Sequence, residues 1–124
     1  MPYSTALKNA WLNQLRNVAG ILPLANVYAS LHTADPGDTG TAEVTGGSPA
    51  YARKEVTWNA AAAGSLDSSN APVFDVPAGT TVSFVGFWSA VTGGTWLGSA
   101  DVTNEVFAGQ GTYTLTDADL DLNA

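Results

Sequence analysis

The sequence predicts a mainly β protein, an antiparallel β-sandwich or partly closed barrel led by one short N-terminal helix. Two observations carry that prediction. The apolar period changes from helical to two-residue alternation at Leu24. Seven or so short strand-like runs then follow, separated by turns of Gly and Pro. No internal repeat divides the 124 residues. One domain is therefore expected over 1–124, with a helix over about 4–19 and β structure from 24 to 122. A chain of this length can bury roughly two-thirds of its unfolded surface.

The helix comes first. Ser4 or Thr5 can cap its N-terminus by accepting a bond from a free backbone N–H. Leu7, Trp11, Leu15 and Val18 recur at spacings of four, four and three, which makes one apolar stripe. Lys8, Asn9, Asn13, Gln14, Arg16 and Asn17 take the other side. Gly20 stands where a left-handed C-terminal cap is wanted, and Pro23 prevents continuation. The stripe is expected to pack on the domain's own sheet, with a neighbouring subunit as the alternative.

From Leu24, Val27, Ala29 and Leu31 alternate with Tyr28, Ser30 and His32, the pattern of a half-buried strand. Pro36-Gly37 ends it and favours a tight turn. Residues 34–50 then form a long loop, and loops of this length tend to be functional or ordered by a partner. Tyr51–Trp58 resumes the alternation with mixed faces, which suits an edge or interface strand. Asn59–Asn70 reads as an irregular connection, because Gly64 and several Ser break any period. Val73–Val76 is a short strand. Thr80–Ala90 is apolar on both faces, as a central strand between two layers should be. Thr92-Gly93-Gly94 makes a hairpin turn, since paired glycines tolerate the positive φ it requires. Thr95–Val102 returns, Val106-Phe107 and Thr112–Thr116 add short strands, and Asp117–Leu122 closes with its acids facing water.

Composition narrows the function. Eleven acidic residues face Lys8, Arg16, Arg53 and Lys54, a formal charge of −7. A phosphate backbone would be repelled, so no nucleic-acid partner is expected. Only 12 % of residues are charged, against about 25 % in an average soluble domain. A surface so poor in charge suits docking against neighbours. There is no Cys, which removes disulfides, zinc thiolates and thiol nucleophiles and fits synthesis in a reducing cytoplasm. No basic region precedes an apolar core at the N-terminus, and the apolar runs are too short to span a bilayer, so neither a secretion signal nor a membrane partner is expected.

No catalytic motif stands out. His32 is the single histidine, with Ser30 two residues before it and Asp35 shortly after, but sequence spacing cannot show a triad and there is no Gly-x-Ser-x-Gly elbow. A strand-end histidine bonded to its neighbours is the expected role. Asp35, Asp38 and Glu43 cluster in the long loop, and Asp117, Asp119 and Asp121 near the end. The second trio starts like a calcium loop but lacks the Gly and distal Glu of an EF-hand. Glu43 is more simply placed as an ion-pair partner of Arg53, pinning the loop. Trp58, Trp88 and Trp96, with Tyr51, could stack on sugars, yet aromatics on strands are more often core. No phosphate-cradling loop is present. No catalytic, cofactor-binding or metal residue is assigned, no cofactor is expected, and the protein is expected not to be an enzyme.

Several phrases carry a resemblance. They are Leu31-His32-Thr33-Ala34-Asp35-Pro36-Gly37, Glu43-Val44-Thr45-Gly46-Gly47, Tyr51-Ala52-Arg53, Phe87-Trp88-Ser89-Ala90 with the Thr92-Gly93-Gly94 turn, and Leu97-Gly98. Together they resemble a family of small tailed-bacteriophage virion proteins, variously capsid decoration, minor capsid or tail-fibre-like. Ser48-Pro49-Ala50 departs slightly from it at the loop tip. The resemblance implies a non-enzymatic virion protein, made in the host bacterial cytoplasm and placed on the capsid surface. It would stabilise the shell there as a symmetric oligomer, a trimer favoured, with the major capsid protein and its own copies as partners. A tail-fibre or baseplate component touching the host surface, with glycan binding included, is the alternative. The loop residues expected at an inter-subunit contact are Asp35, Pro36, Gly37, Asp38, Glu43, Tyr51 and Arg53.

Overall fold

The computed structural model describes residues 3–122. One helix, α1 (Thr5–Leu15), precedes eight strands: β1 (Val27–His32), β2 (Lys54–Val56), β3 (Ser65–Asp67), β4 (Val73–Val76), β5 (Thr80–Trp88), β6 (Trp96–Phe107), β7 (Gly111–Thr114) and β8 (Asp119–Asp121). They form a four-stranded sheet in the order β2-β1-β5-β6 and two ribbons, β3–β8 and β4–β7, all antiparallel. The main sheet does not close, and β2 and β6 remain its edges. The expected mainly β, sandwich-like architecture with one short helix is the one observed.

The core lies between the sheet and its cover. Ala29, Leu31, Val85, Phe87 and Leu97 come from the sheet, Phe74 and Val76 from the β4–β7 ribbon, and Leu7 from α1. β5 lies between β1 and β6, as its two apolar faces require. The register between β5 and β6 shifts twice, so β6 carries extra residues against its partner and runs longer than the Thr95–Val102 expected. It takes in Val106-Phe107.

Four expectations need correction. The helix stops at Leu15 rather than near residue 19. Asn17, not Gly20, supplies the left-handed residue (φ 55), and the Val18 N–H bonds back to the Asn13 carbonyl at 3.0 Å, which closes a Schellman cap earlier than expected. The apolar stripe is consequently buried only at its start, with Leu7 inside and Leu15 85 % exposed. Second, β1 is buried on both faces beyond Tyr28, since Ser30 and His32 are as enclosed as Ala29 and Leu31. Third, Asn59–Asn70 contains a strand. Ala63 and Gly64 both take positive φ, and Ala62 and Ser65 exchange backbone bonds across them, so a tight turn launches β3 toward β8. Last, the strand expected over Tyr51–Trp58 shrinks to Lys54–Val56, because the ladder covers only Val27–Ala29 of β1; it is an edge strand, as its mixed faces suggested.

Candidate functional site

The long loop after β1 is folded back onto its own strand. Asp35 Oδ1 accepts the Gly37 N–H at 2.9 Å, and the Pro36 carbonyl accepts from Gly40 (3.0 Å) and Thr41 (3.1 Å), which closes a turn. The chain then runs back beside β1: Thr33 N donates to Ala42 O and Val44 N to Leu31 O, each at 3.0 Å. This return places Glu43 opposite His32.

Glu43 is the hub of a charged lock. Arg53 meets it as a two-pronged fork, Nε to Oε2 at 3.0 Å and Nη2 to Oε1 at 2.9 Å. The remaining Arg53 amine donates to the carbonyls of Ala90 (3.0 Å) and Gly93 (2.8 Å), so the guanidinium also holds the β5–β6 connection. Its Cζ lies 3.9 Å above the Trp88 ring centroid, a cation–π contact. Tyr51 completes the lock by donating to Glu43 Oε2 at 2.8 Å and accepting the Leu31 N–H at 3.0 Å. Burial first, then the Glu43 carboxylate, pushes the Tyr51 phenol far up, so it stays a neutral donor.

Beneath the lock lies a second chain, built on the fully enclosed Ser30 and His32. His32 Nδ1 lies 2.7 Å from the Thr41 carbonyl, which can only accept, so Nδ1 carries the proton and Nε2 accepts. Ser30 Oγ, 2.7 Å from Nε2, therefore donates to it and in turn accepts from Trp88 Nε1–H at 3.1 Å. Trp96 packs edge-on against both His32 and Trp88 and donates its Nε1–H to the Gly37 carbonyl at 3.2 Å. Two glycines make room for these rings: a Cβ on Gly40 or on Gly86 would collide with them.

The seven loop residues singled out from sequence thus divide. Glu43, Tyr51 and Arg53 converge, with the Glu43–Arg53 pair formed as expected. Pro36 is buried, Asp35 and Gly37 shape the turn, and Asp38 reaches the other way, accepting the Thr5 N–H at 2.8 Å at the start of α1. Backbone and side-chain bonding to Thr5 draws the Asp38 carboxyl below its ordinary value. Sequence reasoning missed the Ser30–His32–Trp88–Trp96 layer. A strand-interior Gly86 was its one visible signal, since such a glycine marks a close approach.

Several chemistries can be weighed on this geometry. Ser30 and His32 have the spacing of a nucleophile and base, but both are 0 % exposed and the Trp88 indole N–H is bonded to the serine oxygen. The Arg53 guanidinium covers one face of Trp88, and Trp96 is buried. Among the described residues no group of three or more His, Asp or Glu side chains is arranged to hold a metal. The acids that do meet are Asp67 and Asp119, direct partners across β3–β8, with Asp117 nearby. The hydrogen bond to the Asp67 side chain, first among the causes, raises the Asp119 carboxyl to about 6. No helix among the described residues is long and apolar enough to cross a membrane.

The enclosed imidazole gives a pH prediction. Burial lowers the His32 pKa below its ordinary 6.5, outweighing the Thr41 carbonyl and Glu43, which act the other way. The unfolded chain then binds the extra proton first, so stability is full above about pH 6.5 and falls as pH drops toward the folded value. Asp119 works oppositely, since its raised pKa favours the fold at lower pH. The test is therefore denaturant melts between about pH 5 and about pH 7 in an Asp119→Asn background. A midpoint that declines on acidification, and a flatter profile when His32→Gln is added, is the expected result.

Comparison with known proteins adds a family. A family model described as Podophage GP4 fiber I protein gp80 matches residues 2–122. No curated protein matches the chain.

Proposed function

The chain belongs to the Podophage GP4 fiber I protein gp80 family, and from that premise we propose that it is a non-enzymatic structural subunit of a phage fibre, assembling with copies of itself. The coarser statement, that it is a bacteriophage virion structural protein, follows from the family itself. The fibre assignment is supported by the name under which the family is described. The absence of catalysis is supported by one observation: every polar side chain of the loop lock is engaged inside the chain, Arg53 alone making four hydrogen bonds. Such a lock stiffens a scaffold and leaves nothing to act on a substrate.

The capsid-surface placement, with the major capsid protein as partner, rests on the resemblance of sequence phrases, which the fibre description of the family does not favour. The two placements are separated by one experiment. Purified virions are labelled with gold-conjugated antibody to this chain and imaged by electron microscopy. Gold on the fibres is the expected result; gold on the head would replace the fibre reading with decoration, and unlabelled virions would remove both.

A further inference from the structure

The loop lock leaves one strong donor over. A guanidinium carries five N–H groups in a single plane. In Arg53, Nε and one side of Nη2 grip Glu43, and Nη1 serves the carbonyls of Ala90 and Gly93. The fifth N–H, the second on Nη2, has no partner among the described residues. Planarity fixes its direction: around the plane it falls between the Glu43 bonds and the Nη1 bonds. A pocket of about 280 Å³ lies beside these same groups. Arg53 lines it, with Glu43 and Thr45 from the returning loop and Val91, Thr92 and Gly93 from the β5–β6 connection. Thr45, Val91 and Thr92 are exposed, so solvent reaches the pocket, whereas the Arg53 side chain is 10 % exposed and held on several sides.

Chemistry selects the ligand. The free Arg53 N–H calls for an acceptor. Glu43 Oε1 takes one bond, from Nη2, and keeps lone pairs for a donor. An anion would meet the Glu43 carboxylate and a cation the guanidinium, so the ligand is neutral. A single hydroxyl does not serve both groups. The two N–H bonds of Nη2 diverge by about 120°, so an atom about 2.9 Å along the free one lies roughly 5 Å from Oε1. Two hydroxyls on adjacent carbons span that gap, one accepting from Nη2 and the other donating to Oε1. Thr45 and Thr92 offer hydroxyls in the same pocket for the rest of such a ligand.

We propose that this pocket is a binding site for a neutral sugar, which presents two adjacent hydroxyls to Arg53 and Glu43. The proposal adds a ligand to the structural-subunit reading and stands or falls independently of where in the virion the chain sits.

Proton–nitrogen correlation NMR of the full chain tests it, read at the Arg53 guanidinium and at the backbone amides of Thr45, Thr92 and Gly93. The probes are the methyl glycosides of glucose, galactose and mannose, which between them carry cis and trans diols. The controls are 1,3-propanediol, whose hydroxyls are one carbon further apart, and inorganic phosphate. At least one glycoside is expected to shift these signals saturably, with a Kd on the order of 1 mM or weaker, and the controls are not. Val91→Trp, at a 47 % exposed position, fills the pocket and leaves the lock residues in place. It is expected to weaken binding about tenfold or more, with circular dichroism unchanged. Thr45→Val with Thr92→Val is expected to weaken it several-fold, and decides the matter if the tryptophan disturbs the fold. No saturable shift with any of the three glycosides would overturn the site. So would an equal response to either control, or binding unmoved in the folded variants.

Discussion

Replacing Arg53 with alanine is expected to lower stability by about 3–5 kcal/mol, the usual loss when one partner of a buried pair is removed. The side chains are 10 % and 20 % exposed, so solvent screens the Arg53–Glu43 pair little. The loss has three parts. Glu43 is left as an enclosed carboxylate with Tyr51 as its remaining side-chain donor. The Ala90 and Gly93 carbonyls lose the donor that ties down the β5–β6 connection. Trp88 loses the cation on its face. Thermal melts should show a fall on the order of 10–20 °C for a domain of this size. Arg53→Lys should recover only a small part, because an ammonium cannot form the fork on Glu43 while reaching two carbonyls. Removing both charges, as Glu43→Gln with Arg53→Met, should cost less than Arg53→Ala alone. A loss below about 1 kcal/mol in Arg53→Ala would put the pair among ordinary surface ion pairs and deny it a role in holding the loop.

That lock also shows how much could be read from residues. Glu43 and Arg53 were visible as a pair, since they are complementary charges ten residues apart, one in the long loop and one on the strand expected after it, in a chain poor in charge. The capped helix start at Ser4 was legible for the same local reason: Ser4 Oγ accepts the Leu7 N–H at 3.1 Å. What local reading could not supply was set by tertiary contact or by an unusual turn residue. Asn17 in the left-handed region ends α1, where it had read as one more polar residue on the helix's outer side, and Ala63 in that region starts β3, which an alanine does not advertise. His32 looked like a polar residue on an exposed face. It is enclosed because its hydrogen-bond partners come from Ser30 on its own strand and from Thr41, nine residues on in the returning loop. Alternation predicts which way a side chain points, and it is silent on what arrives to cover that face.

Gly40 is where the lock and the enclosed layer meet, and Gly40→Ala is expected to cost about 2–5 kcal/mol. Two effects add. At φ +78 an L-residue is disfavoured by about 1–2 kcal/mol. A Cβ there would lie 2.5 Å from Trp88 Cζ2 and 2.6 Å from Trp96 Cε3, an overpacking that typically costs about 1–3 kcal/mol. The rings cannot step aside cheaply, since Trp88 is held between Ser30 and Arg53 and Trp96 by the Gly37 carbonyl. The collision and the backbone cost can be separated. Trp88→Phe removes the outer ring atoms that the Cβ would strike, so Gly40→Ala combined with Trp88→Phe should lose less than the sum of the two single changes, a coupling of about 0.5–3 kcal/mol. Recovery should stay partial, because Trp96 and the positive φ remain. Strict additivity in chemical denaturation would mean that the tryptophan cage yields to the new methyl and that the backbone conformation alone requires glycine at this position.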